Sequence, residues 1–385
     1  MYTVDILESG DELLSFRDEW QELLNDSDSH EFHHHPDNIH LLISHLRKEM
    51  QPRIFFIRKN NILQCIAPFS LMQDEFRLGI GTVTLLKLPV QEYKLHGTRI
   101  IFSRKADLQG CLKALADELK RRQKEFNLIY LESLSHDSPF YTLDDPLPGF
   151  TVYPESSKKN VVRGLRTKNN FAEYLATFRK KRRYNLKRNL RLIEEAANGN
   201  LYMEKIEKPD QVEGFFKAVD QIYEKCWQRR IYGTYHHYSK GNIAYHKGIA
   251  NLGWLRSYLL YCDGEPVAYI IGYQYQNRYY YEYIGYDRTW GKLSPGTVLT
   301  YLMIEDLHSH NRPEILDFGY GENIYKQIFG NFSYEATNTY IVPKLSRIRL
   351  AAQGQLTLSR LYFLLFSLLT KTGLDQKIRR RLRQR

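Results

Sequence analysis

Cysteine is scarce in this chain: Cys65, Cys111, Cys226 and Cys262 are the only four in 385 residues, and no CxxC pair occurs. That scatter supports neither a disulfide framework nor a zinc ribbon, and it suits a reducing compartment. Long apolar runs are missing as well. The longest, Leu361–Leu369, has nine residues, against the roughly 20 that a membrane-spanning helix needs. The opening MYTVDILESGDELL has neither a basic start nor an apolar segment, so no secretory signal is read there. Gly79-x-Gly81 is too short a glycine pattern for a nucleotide loop. No Ser-His-Asp or Cys-His order stands out, which argues against a covalent enzyme intermediate. Carboxylates are outnumbered, 44 Asp+Glu against 55 Lys+Arg, for a net charge of +11 and a pI near 9.2. Such a balance points to a partner bearing phosphates, acidic sugars or anionic lipid, or to a merely basic surface.

What is present suffices for a packed protein of two domains, with 43% hydrophobic residues. The first half, residues 1–155, opens with a helix carrying Leu13, Leu14, Phe16, Trp20, Leu23 and Leu24. His33, His34 and His35 precede Pro36, which opens a second helix. Adjacent side chains diverge and no carboxylate or cysteine pattern joins them, so these histidines predict a helix entry and no metal site. Strands are predicted at Arg53–Arg58 and Ile62–Leu71, joined by Asn60-Asn61, with further strand pieces at Gly81–Leu88, Thr98–Phe102 and Leu128–Leu131. A helix is predicted over Leu108–Lys124. No catalytic set is apparent in this half, and a supporting or acceptor-binding role follows.

Asp144–Lys168 reads as the crossing into residues 156–345. Phe178–Glu195 then predicts a helix with Leu186, Leu190, Ile193 and Ala197 on one stripe. Arg179, Lys180, Lys181, Arg182, Arg183, Lys187, Arg188 and Arg191 cover much of the remainder. Cations without interleaved carboxylates repel one another, so an anionic partner is expected, with Arg183, Lys187 and Arg188 as contacts. It could be a cofactor phosphate, a phosphorylated glycan or lipid carrier, or tRNA. A simply solvated face is the alternative. Glu213–Trp227 predicts a helix with Cys226 on its apolar stripe, and His236-His237 falls in a polar loop. Asp263-Gly264-Glu265 closes a hairpin between Leu255–Cys262 and Pro266–Tyr275.

The densest chemistry lies in Tyr279–Gly330. Its start, YYYEYIGYD, is a strand by composition. The Gly/Pro loop RTWGKLSPGT follows, then a helix from about Val298. Next comes a short strand ending at Asp317-Phe318-Gly319, then a helix of about Glu322–Phe329. Strand, loop and helix together make an anion site, because free N–H groups and the helix dipole meet around Gly296–Val298. A plain crossover without a ligand fits the spacing equally well.

These residues resemble the second half of a GNAT-superfamily acyltransferase, and more closely the CelD-like (cellulose-biosynthesis-type) acetyltransferases and FemAB-type transferases. Tyr286-Asp287, Ser294-Pro295-Gly296, Asp317-Phe318-Gly319, Tyr325-Lys326 and Phe329-Gly330 carry the resemblance, over roughly Phe178–Phe332. The superfamily loop Gln/Arg-x-x-Gly-x-Gly/Ala is matched in its first four positions by Arg288-Thr-Trp-Gly291.

The resemblance implies an α/β fold of two tandem GNAT-like halves with mixed central sheets, plus a basic helical C-terminal tail. It implies acetyl-CoA or another acyl-CoA as donor and no metal. Donor contacts would come from Tyr283, Gly285, Arg288, Gly291, Ser294, Gly296, Thr297 and Asn323. Tyr325 would be the acid for the departing thiolate. Asp317 would be the base, orient the acceptor or cap a turn. Glu282, if buried, would be a usable base with a raised pKa. Lys326 would meet a phosphate or the oxyanion, or lie in solvent. The acceptor would be an anionic glycan, a lipid-linked molecule or an amine in cell-envelope or polysaccharide synthesis, reached in the cytoplasm. Two rivals remain: aminoacyl transfer from tRNA, and a non-catalytic, membrane-associated binding module on the same fold. Residues 346–385, apolar first and basic last, suit peripheral contact with a membrane or partner groove, or packing of a helix back onto the body.

Overall fold

The computed structural model describes residues 1–371 apart from 30, 81–82, 158, 227, 230–232, 234–236 and 322. Gly81, Trp227, His236, Glu322 and the tail arginines from Arg379 onward therefore lie outside the described residues. The chain forms two compact units. One comprises Met1–Ile43, Lys48–Val161 and the chain from Glu335 onward; the other comprises Ser44–Arg47 and Val162–Tyr334. The crossing thus falls a few residues beyond 155. The C-terminal strand returns to the first unit, because its partners are strands of that unit.

The strands are β1 (Tyr2–Leu7), β2 (Gln51–Lys59), β3 (Ile62–Ile80), β4 (Val83–Leu95), β5 (Ile101–Phe102), β6 (Leu128–Ser135) and β7 (Phe150–Pro154). They continue with β8 (Asn160–Arg166), β9 (Leu201–Ile206), β10 (Ser257–Cys262), β11 (Glu265–Tyr275), β12 (Arg278–Tyr286), β13 (Ile315–Asp317) and β14 (Phe332–Pro343). In the first unit β1, β2, β3 and β4 are successively antiparallel, β4 runs parallel to β6, and β6 is antiparallel to β14. In the second unit β9, β10, β11 and β12 are antiparallel, β12 is parallel to β13, and β13 is antiparallel to β8. The same pairing scheme thus occurs twice. In each unit a helix crosses from the fourth strand to its parallel neighbour: Leu108–Arg121 in the first and Pro295–Ser309 in the second.

Local chemistry sets the turns. Asn60 and Asn61 both take left-handed φ values between β2 and β3. Asp263 and Gly264 do so between β10 and β11, the conformation that a tight hairpin requires. Each unit has its own core. Phe55, Phe69, Tyr93, Leu115 and Ile129 pack in the first. Tyr258, Tyr279, Tyr281, Leu299, Met303 and Leu316 pack in the second. The predicted helix Phe178–Glu195 is realised as Lys180–Ala196, with Leu186 and Ile193 buried. The predicted strand piece from Gly81 is part of a longer ribbon in which β3 and β4 pair from Phe69–Leu95 out to Ile80–Val83.

Candidate active site

The two parallel pairs differ where it matters. In the first unit β4 pairs with β6 through Lys94 and stops at Leu95. In the second, β12 pairs with β13 only at Arg278, Tyr279 and Tyr280, yet runs on to Tyr286. A bulge intervenes: Ile271 faces Tyr283 while Gly272 faces Tyr281, so Glu282 is the extra residue. A bulge bends its strand and interrupts pairing. Tyr281–Tyr286 therefore have no ladder partner on the β13 side among the described residues.

The phase of β12 decides which amides meet that opening. Asp287 N donates to Val267 O of the adjoining chain. The carbonyls of Ile284 and Tyr286 are taken elsewhere, by Gln228 Nε2 at 2.6 Å and Cys226 Sγ at 3.1 Å. Antiparallel pairing alternates, so Tyr283 and Gly285 turn their amides to β11, and those of Ile284 and Tyr286 turn away from it. Gly285, expected to offer its amide, instead makes room: a Cβ there would lie 2.4 Å from the Tyr269 ring. Ile284, Tyr286 and Gln228 were missed by sequence reasoning, because composition marks a strand but not which of its edges is left open.

The loop after β12 is fixed by Asp287, whose carboxylate accepts from Thr289 N at 2.8 Å and Thr289 Oγ1 at 2.7 Å and pairs with Lys225 at 3.0 Å. Burial opposes its charge, but the Thr289 bonds and the Lys225 ammonium outweigh it and hold its pKa below the ordinary value. Arg288 and Thr289 then line an open cleft with Glu224, Lys225, Cys226 and Arg229. Burial pushes the Cys226 pKa up to about 11, which keeps it a neutral thiol.

Ser294 adopts a left-handed conformation, φ 56° and ψ 50°, and the helix Pro295–Ser309 begins without a side-chain cap. This tight entry turns Thr297 N and Val298 N onto Ser294 O at 3.0 and 3.1 Å. Of the amides expected to face a ligand, Gly296 N is the one with no backbone acceptor among the described residues. Gly296 itself packs under β12, where a Cβ would stand 3.1 Å from Ile284 Cδ1. The matching helix of the first unit is closed by its own acid, Asp107, which accepts from Gly110 N at 3.0 Å and from Tyr2 OH at 2.8 Å.

Past β13, Asp317 spends both oxygens on structure. One accepts from Gly319 N at 2.8 Å and the other pairs with Arg278 at 3.1 Å. Lys326 is buried, and its ammonium donates at 3.0 Å to the carbonyls of both Gly319 and Tyr320, binding the turn to the helix Ile324–Phe329. Tyr325 on that helix packs between Tyr281, ring centroids 5.4 Å apart, and Phe318, 6.0 Å apart. Burial raises its pKa, so the phenol stays protonated, and its hydroxyl has no hydrogen-bond partner among the described residues. Glu282 is half-buried, beside Tyr245 and Tyr273, whose pKa values are raised chiefly by burial and further by its charge. Tyr283 and Asn323 are exposed, and Gly291 and Ser294 are half-buried.

The helix Lys180–Ala196 packs against Pro295–Ser309 and against the turn Arg288–Leu293. Arg183, expected to bind substrate, folds back onto Phe178 O at 2.6 Å. Arg182 similarly reaches Ile328 O at 3.1 Å. Lys187 and Arg188 remain exposed.

Residues 180–327, which build this site, match the family model described as an acetyltransferase (GNAT) domain. They are a GNAT-type acyltransferase domain. No curated protein matches the chain in sequence. Among solved structures, FemX superposes with a TM-score of 0.58 at 11% identity, covering 84% of this chain and 95% of that one. A tandem GNAT protein from the clavulanic acid biosynthesis pathway reaches 0.51 at 10% identity, over 89% and 98%. The C-terminal domain of a putative lysylphosphatidylglycerol synthetase from Agrobacterium fabrum reaches 0.50 at 11%, over 90% and 96%. At such identities the likeness concerns the fold: an α/β chain of tandem GNAT type, with the GNAT domain in the second unit and a helical C-terminal region.

Proposed function

We propose that the GNAT domain transfers an acyl group from acyl-CoA to an amine or hydroxyl of a cell-envelope or polysaccharide precursor, on the cytoplasmic side and in the manner of the CelD-like acetyltransferases. The observation that carries this reading is the open edge of β12 beyond Tyr280. It borders an uncapped helix start and the phenol of Tyr325, whereas the first unit has a closed counterpart of each backbone feature. The pantetheine arm would pair with the outward amides of Ile284 and Tyr286. Its phosphates would meet Gly296 N and Arg288. The acceptor attacks the thioester carbonyl directly, and the Ile284 amide, at the arm's reactive end, holds the oxyanion while Tyr286 N keeps the arm. Glu282 takes the acceptor's proton, the C–S bond breaks, and Tyr325 protonates the departing thiolate. Asp317 and Lys326 hold the turn that aims Tyr325.

Arg288 is exposed and outside the core, so Arg288→Glu tests the donor site without disturbing the fold. Titration calorimetry should show coenzyme A binding weakened at least about tenfold, the loss of one charged contact, at an unchanged melting temperature. Equal affinity in the variant removes the donor assignment. The exposed Lys187 and Arg188 favour a second reading, aminoacyl transfer from charged tRNA. Transfer that needs charged tRNA and ignores acyl-CoA would replace the first.

A further inference from the structure

The helix Arg347–Lys371 packs by one side only. Ile348, Ala352 and Ser359 are buried, and the helix lies against β3 and β7. At 3.6 residues per turn, Leu350, Leu361, Leu364, Leu365 and Leu368 fall together on the opposite side. All five are exposed, Leu350 at 72% and Leu364 and Leu365 at 59%. No helix among the described residues is long and apolar enough to cross a membrane.

A second apolar surface stands beside the first. Beyond Phe76 the β3–β4 ribbon is largely bare, with Ile80, Val83, Leu85 and Leu86 exposed. Leu85 and Leu86 point to opposite faces of the strand, so both faces of the outer ribbon carry bare apolar side chains, while Leu78 packs on the cluster of Phe76, Ile348 and Ala352. The ribbon is tied to the helix: Gly79 N donates to Gln355 Oε1 at 2.8 Å, and Leu78 reaches within 3.4 Å of where a Gly354 Cβ would stand.

Charge selects the occupant. Arg347–Lys371 contains Arg347, Arg349, Arg360 and Lys371 and no carboxylate. The sequence beyond it adds Lys377, Arg379, Arg380, Arg381, Arg383 and Arg385 against one acid, Asp375. Leucines flanked by cations match the acyl boundary and headgroups of an anionic bilayer. We propose that the leucine side of this helix and the β3–β4 ribbon together dock the first unit onto an anionic lipid surface, lying on it without crossing it. This rests on no part of the transfer reading.

The test is co-sedimentation of the full chain with vesicles of phosphatidylglycerol and phosphatidylcholine, and with phosphatidylcholine alone. The chain should bind the anionic vesicles at least tenfold more tightly. The double variant Leu361→Glu/Leu365→Glu should weaken that binding at least tenfold, and Val83→Glu/Leu85→Glu should weaken it several-fold. Both variants should keep the parent's melting temperature and coenzyme A affinity, since every altered side chain is exposed and outside the GNAT domain. Absence of binding to anionic vesicles, or variants that bind like the parent, overturns the proposal. So does a dimer in sedimentation equilibrium that the leucine variant dissolves, because a second copy would then be what covers the stripe.

Discussion

At the scale of single residues, Tyr325 separates chemistry from packing more cleanly than its neighbours do. Its ring belongs to a trio with Tyr281 and Phe318, but its hydroxyl bonds to nothing among the described residues. Tyr325→Phe keeps the ring and removes only the proton donor. Steady-state kinetics with a saturating acyl donor should show kcat lower by about 10²–10⁴, the usual contribution of a general acid. The thermal midpoint should stay within about 1 °C, because a surface-free hydroxyl without partners contributes little to stability. Asp317 and Lys326 invite the opposite expectation, since their charges are committed to Arg278, to Gly319 N and to two carbonyls. Sequence reasoning held Tyr325 apart as the acid, left Asp317 between base, acceptor contact and turn cap, and left Lys326 between a phosphate, the oxyanion and solvent. Residue type does not say which partner a side chain finds: Asp317 caps the turn, and Lys326 is buried on two carbonyls instead of meeting a ligand or solvent. Arg183 was read as a ligand contact for the same reason, and it folds back onto its own chain.

At the scale of elements, the start of the helix Pro295–Ser309 depends on how its other end is anchored. Arg256 is 3% exposed and donates to Asp306 Oδ2 at 2.7 Å, His310 O at 2.7 Å, Asn311 O at 3.0 Å and Gln274 Oε1 at 2.6 Å. Tyr258 OH donates to the same Asp306 oxygen at 2.8 Å. This hub fastens the last turn of the helix to β10 and β11. Arg256→Leu takes its 2.7 Å partner from the largely buried Asp306 carboxylate and leaves it Lys205 at 3.8 Å and His310 at 2.9 Å, which should cost about 3 kcal/mol in urea denaturation, the low end for a broken buried pair. The companion Asp306→Asn keeps its size and its bond from Tyr258, and should cost less. The helix was legible in advance from Val298, Leu299, Leu302 and Met303. Its anchor was not, because Arg256 lies some fifty residues upstream among residues that read as an ordinary strand. The bulge at Glu282 was equally hidden. YYYEYIGYD announces a strand, but a bulge is a property of two strands in register, and β11 contributes half of it. The Asp263-Gly264 and Asn60-Asn61 hairpins were readable because their geometry is set within a few residues.

At the scale of the whole chain, the repeated pairing scheme explains why two units of like topology would do different work. The order of strands and helices shows the repeat, but the exchange that completes it does not appear in linear reading. The strand beside β6 comes from the far end of the chain, and the strand beside β13 comes from the crossing. Both units also share a sensitivity to acid. Burial pushes His34, His35, His237 and His246 down to about 4 and His96 to about 3. In the unfolded chain each returns to about 6.5. Between those values the unfolded state binds more protons, so this stability is complete above about pH 6.5 and is lost as pH falls toward 4. Glu92 works the other way: burial raises it to about 7, and its protonation favours the fold as pH falls through that value. Burial also lowers His136 and His308 and raises Glu305; seven groups thus oppose two, so the thermal midpoint should drop steadily from pH 7 to pH 5. His246 isolates the effect. Its ring bridges Asn242 O and Tyr273 OH, each at 2.8 Å. His246→Leu should lower stability at pH 7 by about 1–3 kcal/mol for the unmade bonds. At pH 5 the gap from the parent should narrow, because the parent alone must keep a buried imidazole neutral against a solvent that would protonate it. A gap that stays constant from pH 7 to pH 5 would show that His246 takes up its proton as readily in the folded chain as in the unfolded one.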